Sequence, residues 1–193
     1  DEECQGGYAM KVVIDRTELM RVLNHVTSLI ERRTTIPILS HLRLEVLKGG
    51  GLAIVGTDLE REIRDVADAT GVPGQTCVPA HMLHDIVRKC PQGMVELVVD
   101  QDKGRMSLKA GTSKFQLSTL DAADFPSLSQ GKAEHEFRVP TAELRRLVEK
   151  TRFAISTEET RYYLNGIFLH AASGGGEILR AVATDGHRLA CID

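Results

Sequence analysis

The sequence has no tryptophan, and aromatic residues make up only 4% of its 193 positions, so any core has to be aliphatic. Its four cysteines, Cys4, Cys77, Cys90 and Cys191, are far apart and form no Cys-x-x-Cys pair. That excludes a zinc-ribbon or disulfide-framework reading and fits a reducing cytoplasm. Seven histidines occur without His-Glu-x-x-His or any clustered ligand spacing, so neither a metal nor another cofactor is expected. No stretch approaches the roughly 20 apolar residues that span a bilayer. The N-terminus, DEECQGGYAM, begins acidic and lacks the basic-then-apolar order of a signal peptide. Met10 followed by the strand-like KVVI reads as the start of the folded chain, with residues 1–9 as a leader or tag. Net positive charge is missing too: the chain carries −3, which at first sight argues against nucleic acid.

What is present is a repeat. Shifting the sequence by 125 lays TELMRVL (17–23) on AELRRLV (142–148), pairing Glu18 with Glu143, Leu19 with Leu144 and Arg21 with Arg146. The same shift places Leu39, Leu42 and Leu44 on Leu164, Ile167 and Leu169. A two-residue insertion then aligns AIVGTD (53–58) with RAVATD (180–185). Within the first unit a weaker half-period of 64 overlays residues 14–23 on residues 78–87, each an extended lead-in followed by an amphipathic helix. Alternating apolar runs separated by Gly or Asp turns predict strands at 41–47, 51–56, 95–99, 104–110 and 113–119. The fold class is therefore α+β: strand, helix and several antiparallel strands, given twice per domain. By this reading a first domain spans 10–133 and a second begins at 134, and only half of the second, by its own repeat, is reached at Asp193.

Helical apolar spacing marks residues 17–33 (Leu19, Val22, Leu23, Val26, Leu29, Ile30), 80–90 and 141–152. These segments carry +1, +1 and +2, leaving −7 on the rest of the chain. Charge is sorted by secondary structure, so helices sharing one face would make that face positive and attract phosphates there. Solvation of helix exteriors explains the same residues without any ligand.

The ordered motifs TIPIL (35–39), GTDLE (56–60), STLDAADFP (118–126), RYYLNG (161–166) and VATDGHRLA (182–190) resemble the β subunit of bacterial DNA polymerase III, the sliding-clamp family. The resemblance runs from Met10 to the end. It implies a DNA-clamp fold, with helices lining a central channel and antiparallel sheets outside. It further implies three domains per subunit and a head-to-tail homodimer closed around double-stranded DNA as a processivity factor, with no catalytic role. Partners would be the replicative polymerase, clamp-loader subunits, and repair and translesion proteins, held through short peptides.

Carried over by motif, the peptide pocket takes Leu164, Thr184, Gly186, His187, Arg188 and Leu189. Apolar walls from Leu164 and Leu189 would accept a hydrophobic anchor beside a turn that fixes the peptide backbone. A plain tight turn accounts for Asp185 and Gly186 as well. DNA contacts are implied for Arg33 and the Tyr162–Tyr163 pair, with Arg21 and Arg146 at matching helix positions. Tyr162 reads equally well as a packed aromatic. Glu158 stands where the best-known enterobacterial pattern has a neutral amide, and a carboxylate there would repel phosphate. The ring interface would use the edge strand 113–119, with Phe115 and Leu117 as apolar contacts and Lys114 as an ion-pair donor.

Two other readings compete. Asp185 and His187 could form a general acid–base pair, although no nucleophile motif or phosphate loop accompanies them. The chain could also serve as a clamp-fold peptide adaptor that does not encircle DNA.

Overall fold

The structure, a computed structural model, describes residues 10–32, 34–127, 138–172 and 178–193. It divides into two units, Asp1–Gln130 and Gly131–Asp193. The boundary expected after residue 133 falls outside the described residues, as do residues 1–9 and Arg33.

The first unit begins with β1 (Met10–Asp15) and α1 (Arg16–Thr27). Asp15 caps the helix by accepting from the Thr17 backbone N–H at 2.7 Å. A meander follows: β2 (His41–Val46), β3 (Leu52–Thr57) and β4 (Glu62–Ala67). After the short β5 (Ala69–Val72), the pattern restarts with β6 (Gly74–Pro79) and α2 (Ala80–Lys89). A second meander completes it, β7 (Met94–Asp100), β8 (Arg105–Ala110) and β9 (Ser113–Ser118).

The half-period of 64 carries β1 and the start of α1 onto β6 and the start of α2. The two lead strands are exchanged. β1 pairs antiparallel with β7 of the second meander, Ile14 opposite Val95, while β6 pairs with β2 of the first, Leu42 opposite Val78. The resulting sheets run β5-β1-β7-β8-β9 and β4-β3-β2-β6. Each half thus completes the other's sheet, and one continuous aliphatic core joins both sheets and both helices, from Val12 and Leu19 to Leu83, Leu97 and Leu108.

Three departures from the sequence reading have physical causes. Helix α1 ends at Thr27 rather than continuing to residue 33, because Thr27 and Ser28 turn their hydroxyls onto the carbonyls of Leu23 and His25. Leu29 and Ile30 are still buried, but from the turn. β3 does not alternate: all six residues are buried, as a central strand covered on both faces requires. Its Gly56 leaves room for the helix above, since a Cβ there would lie 2.8 Å from Val26 Cγ1. Leu117 of β9 is 1% exposed and belongs to the core, which removes it from the exposed interface set. It pairs in register with Met106, and the strand's inward face is occupied by the core of its own unit. Phe115 (37% exposed) and Lys114 remain at the surface of this edge strand.

The second unit contains α3 (Thr141–Thr151) and the sheet β10 (Phe168–Ala172), β11 (Ile178–Thr184) and β12 (Leu189–Ile192), in that order. Its register reproduces the first unit. Leu44 opposite Ile54 becomes Leu169 opposite Ala181, so the shift is 125 on one strand and 127 on the next. The two extra residues therefore lie between β10 and β11. Equivalent core positions are filled differently: Val26 and Gly56 of the first unit correspond by the repeat to Thr151 and Ala183 of the second, both also buried. Leu144, the counterpart of fully buried Leu19, is 40% exposed, because α3 has only one sheet to cover it within its unit.

Candidate partner-binding site

The β11–β12 connection is a turn ordered by two side chains. Thr184 Oγ1 donates to the Arg188 carbonyl at 2.8 Å and accepts from the Gly186 N–H at 3.1 Å. Asp185 Oδ1 accepts from the backbone N–H groups of His187 and Arg188, both at 2.9 Å, and Oδ2 takes Arg188 Nε at 2.9 Å. The His187 and Arg188 backbone N–H groups, donating to the carboxylate, lower the Asp185 pKa from 3.8 to about 2. Gly186 has φ 90°, in the left-handed region that favours glycine. The turn directs Gly186, His187, Arg188 and Leu189 outward, Leu189 with 65% exposure.

This arrangement counts against the acid–base reading. Both Asp185 oxygens are engaged by backbone N–H groups and by the Arg188 guanidinium. The carboxylate shapes the turn.

The RYYLNG segment forms a kinked 3-10 stretch, Glu159–Leu164, ahead of β10. It is tied back where the Ser156 N–H donates to the Leu164 carbonyl at 3.1 Å. With its amide oriented to satisfy its neighbours, Asn165 Nδ2 donates to the carbonyls of Ser156 (2.9 Å) and Arg161 (3.3 Å). The segment meets the turn through Arg161, whose Nη1 would lie 3.1 Å from a Cβ placed on Gly186. Leu164 is half-buried. Tyr162 and Tyr163 stand edge to face, 5.8 Å between centroids, and are 78% and 71% exposed. The packed-aromatic alternative for Tyr162 therefore fails within this unit.

Glu158, the residue that raised the charge conflict, forms an ion pair with Arg161 at 3.1 Å. Three participants were not singled out in the sequence. Arg161 links the two segments, Asn165 braces one of them, and Phe153 carries the Arg188 guanidinium 5.8 Å above its ring. Arg161 opens the RYYLNG motif and could have been found there; Phe153 left no local signal.

The helical arginines are surface residues with partners. Arg21 pairs with Glu18 (3.1 Å) and Asp65 (3.3 Å) and donates to the Val66 carbonyl. Arg146 pairs with Glu143 at 2.9 Å and donates to the Asp193 carbonyl. No group of three or more metal-ligating side chains occurs among the described residues. No helix among them is long and apolar enough to cross a membrane.

Two family models match, DNA polymerase III beta subunit, N-terminal domain, over residues 10–129, and the central domain of the same subunit over residues 138–193. This chain belongs to the DNA polymerase III beta subunit family. It is 52% identical over 184 residues to the beta sliding clamp of Caulobacter vibrioides and 44% identical over 183 residues to that of Escherichia coli K12. Each match covers 94% of this chain and 49% of the relative, so the chain spans about half the length of these clamps. Among solved structures, a C. crescentus beta sliding clamp with PEG at a putative beta-motif tethering region superposes with a TM-score of 0.87 at 52% identity, covering 94% of this chain and 49% of that one. A Bartonella birtlesii sliding clamp bound to griselimycin gives 0.87 at 41% identity, covering 95% and 49%. The antiparallel sheets and few helices of this chain superpose on those sliding clamps, which gives it the clamp fold.

Proposed function

We propose that this chain works as part of a DNA sliding clamp, a processivity factor that encircles duplex DNA as a head-to-tail dimer and tethers replication proteins without catalysing a reaction. The observation that carries the partner-binding half of this reading is the Asp185-ordered turn, which holds residues 186–189 outward beside the segment bearing Leu164. An apolar peptide side chain would seat against Leu164 and Leu189, while Thr184, Gly186, His187 and Arg188 form the rim. Polymerase, clamp-loader, repair and translesion proteins would compete for it with short peptides. Residues 10–133 and 134–193 would belong to the first and second of three clamp domains, in the cytoplasm.

DNA would be held chiefly by topology, with weak, salt-sensitive and sequence-blind contacts. Tyr162 and Tyr163, exposed side by side, suit sugar or base contacts, and the Arg161 partner of Glu158 offsets its repulsion of phosphate. Arg33, Arg21 and Arg146 would add phosphate contacts, the last two by exchanging their present carboxylate partners. Lys114 and Phe115 on edge strand β9 would pair with a second subunit, covering an open strand edge that otherwise invites aggregation.

The test is a chimera in which residues 10–193 replace the matching half of the Caulobacter vibrioides clamp, titrated with a labelled clamp-binding peptide. Leu164→Ala should weaken binding by about 1–3 kcal/mol, the range for a buried anchor contact. His187→Ala should cost less, because its backbone still completes the turn. Unchanged affinity for Leu164→Ala would put the pocket elsewhere.

A further inference from the structure

Each half of the first unit is covered by a half like itself. Helices α1 and α2 begin 64 residues apart and pack together, so that Leu19 and Leu23 of one half join Leu83 and Val87 of the other in a single core. The second unit, among its described residues, holds one such half, α3 with β10, β11 and β12. Carried over by the repeat, Leu19, Leu23 and Leu44 become Leu144, Val148 and Leu169. The first three have no exposure, whereas the last three are all exposed. Strand β10 ends its sheet among the described residues, while its counterpart β2 has β6 alongside. An apolar ridge on α3 and an open strand edge thus share the face that, in the first unit, meets the other half.

The polar contact between the two halves carries over as charge. His84 Nε2 hydrogen-bonds Asn24 Oδ1 at 2.8 Å, and His84 is the half-repeat counterpart of Met20. Position 24 of one half therefore touches position 20 of the other. Shifted by 125, these positions are Glu149 and Arg145, opposite in charge and one turn apart on α3. A two-fold axis between identical halves makes the contact twice, Glu149 of each copy against Arg145 of the other. Within one copy the two side chains come only to 4.0 Å and stay 62% and 77% exposed, so either can turn to a facing helix.

We infer that the 193-residue chain pairs with a second copy of itself through the α3–β10 face, the two second units completing each other as the halves of the first unit do. Leu144 and Val148 of each copy cover those of the other, and the two Arg145–Glu149 ion pairs fix the register. This pairing needs neither the clamp reading nor the β9 edge.

The experiment is sedimentation equilibrium of the 193-residue chain over a dilution series, which should show a reversible dimer. Arg145→Glu and Glu149→Arg, each at an exposed position, should weaken it at least about tenfold, because two ion pairs become two repulsions. The double exchange Arg145→Glu with Glu149→Arg should dimerise as the parent does. The deciding arm mixes the two single variants. Each keeps its like-charge clash within its own helix, yet both contacts between copies are again opposite in charge, so a mixed dimer of parental strength should form. A chain that stays monomeric overturns the inference, as does a dimer indifferent to both reversals or a mixture no stronger than its components. A dimer that survives the reversals and is lost on Phe115→Asp also overturns it, while supporting pairing through β9.

Discussion

Gly56→Ala is a one-methyl change whose cost can be worked out from the packing of α1 on β3. The added Cβ would meet Val26 Cγ1 at 2.8 Å, Ile30 Cδ1 at 3.1 Å and Leu42 Cδ2 at 3.2 Å, in a place where every one of these residues is buried. The first distance is well inside van der Waals contact, so the helix must move or Val26 must leave its rotamer. Overpacking of this kind costs about 1–3 kcal/mol. Val26→Ala alone removes buried methyl groups and costs about 1–3 kcal/mol by leaving a cavity. The two losses occupy the same space, so the double variant should be more stable than their sum predicts by about 1 kcal/mol or more. Urea denaturation of the four proteins closes the cycle, with constant m-values as the check that one transition is being compared. Additivity within about 0.5 kcal/mol would mean that α1 does not rest on Gly56 as described.

Two further outcomes follow from the duplicated architecture. Leu19→Ala, at a site with no exposure, should cost about 2–5 kcal/mol, whereas Leu144→Ala at the equivalent, 40% exposed position should cost about 1–2 kcal/mol; hydrogen exchange resolved by unit would measure both, and equal losses would contradict the unequal burial. Asp185 should titrate near its lowered value of about 2, so the turn's order is present above the ordinary carboxylate value of 3.8 and is lost as the pH falls through 2; a carboxyl-carbon NMR titration with a midpoint at or above 3.8 would refute the hydrogen bonding of the turn.

Much of this fold was legible because repeat and periodicity act locally. The alternating runs at 41–47, 95–99 and 104–110 became β2, β7 and β8, and the insertion read between the repeats lies in the hairpin between β10 and β11. β4 was missed because Glu62, Arg64 and Asp65 mask its pattern, and only Ala67 of its six residues is buried. The exchange of lead strands could not be read, since β1 pairs with β7 across 79 to 89 positions, from Asp15 opposite Met94 to Met10 opposite Val99, and nothing local marks the partner.

The candidate site divides the same way. Thr-Asp-Gly announced its turn, because short polar side chains and a glycine have few other local uses. The exposure of Tyr162 and the burial of Leu117 depend on what packs against them, and the same holds for Arg21, whose carboxylate partner Asp65 is 44 residues away.

Retention on DNA tests the central claim most directly. The chimera carrying residues 10–193 in the Caulobacter vibrioides clamp should, once loaded, remain on closed circular duplex DNA through gel filtration at moderate salt and be lost when a nuclease linearises the circle. Equal loss from circular and linear DNA would contradict encirclement and favour the peptide adaptor that does not enclose DNA.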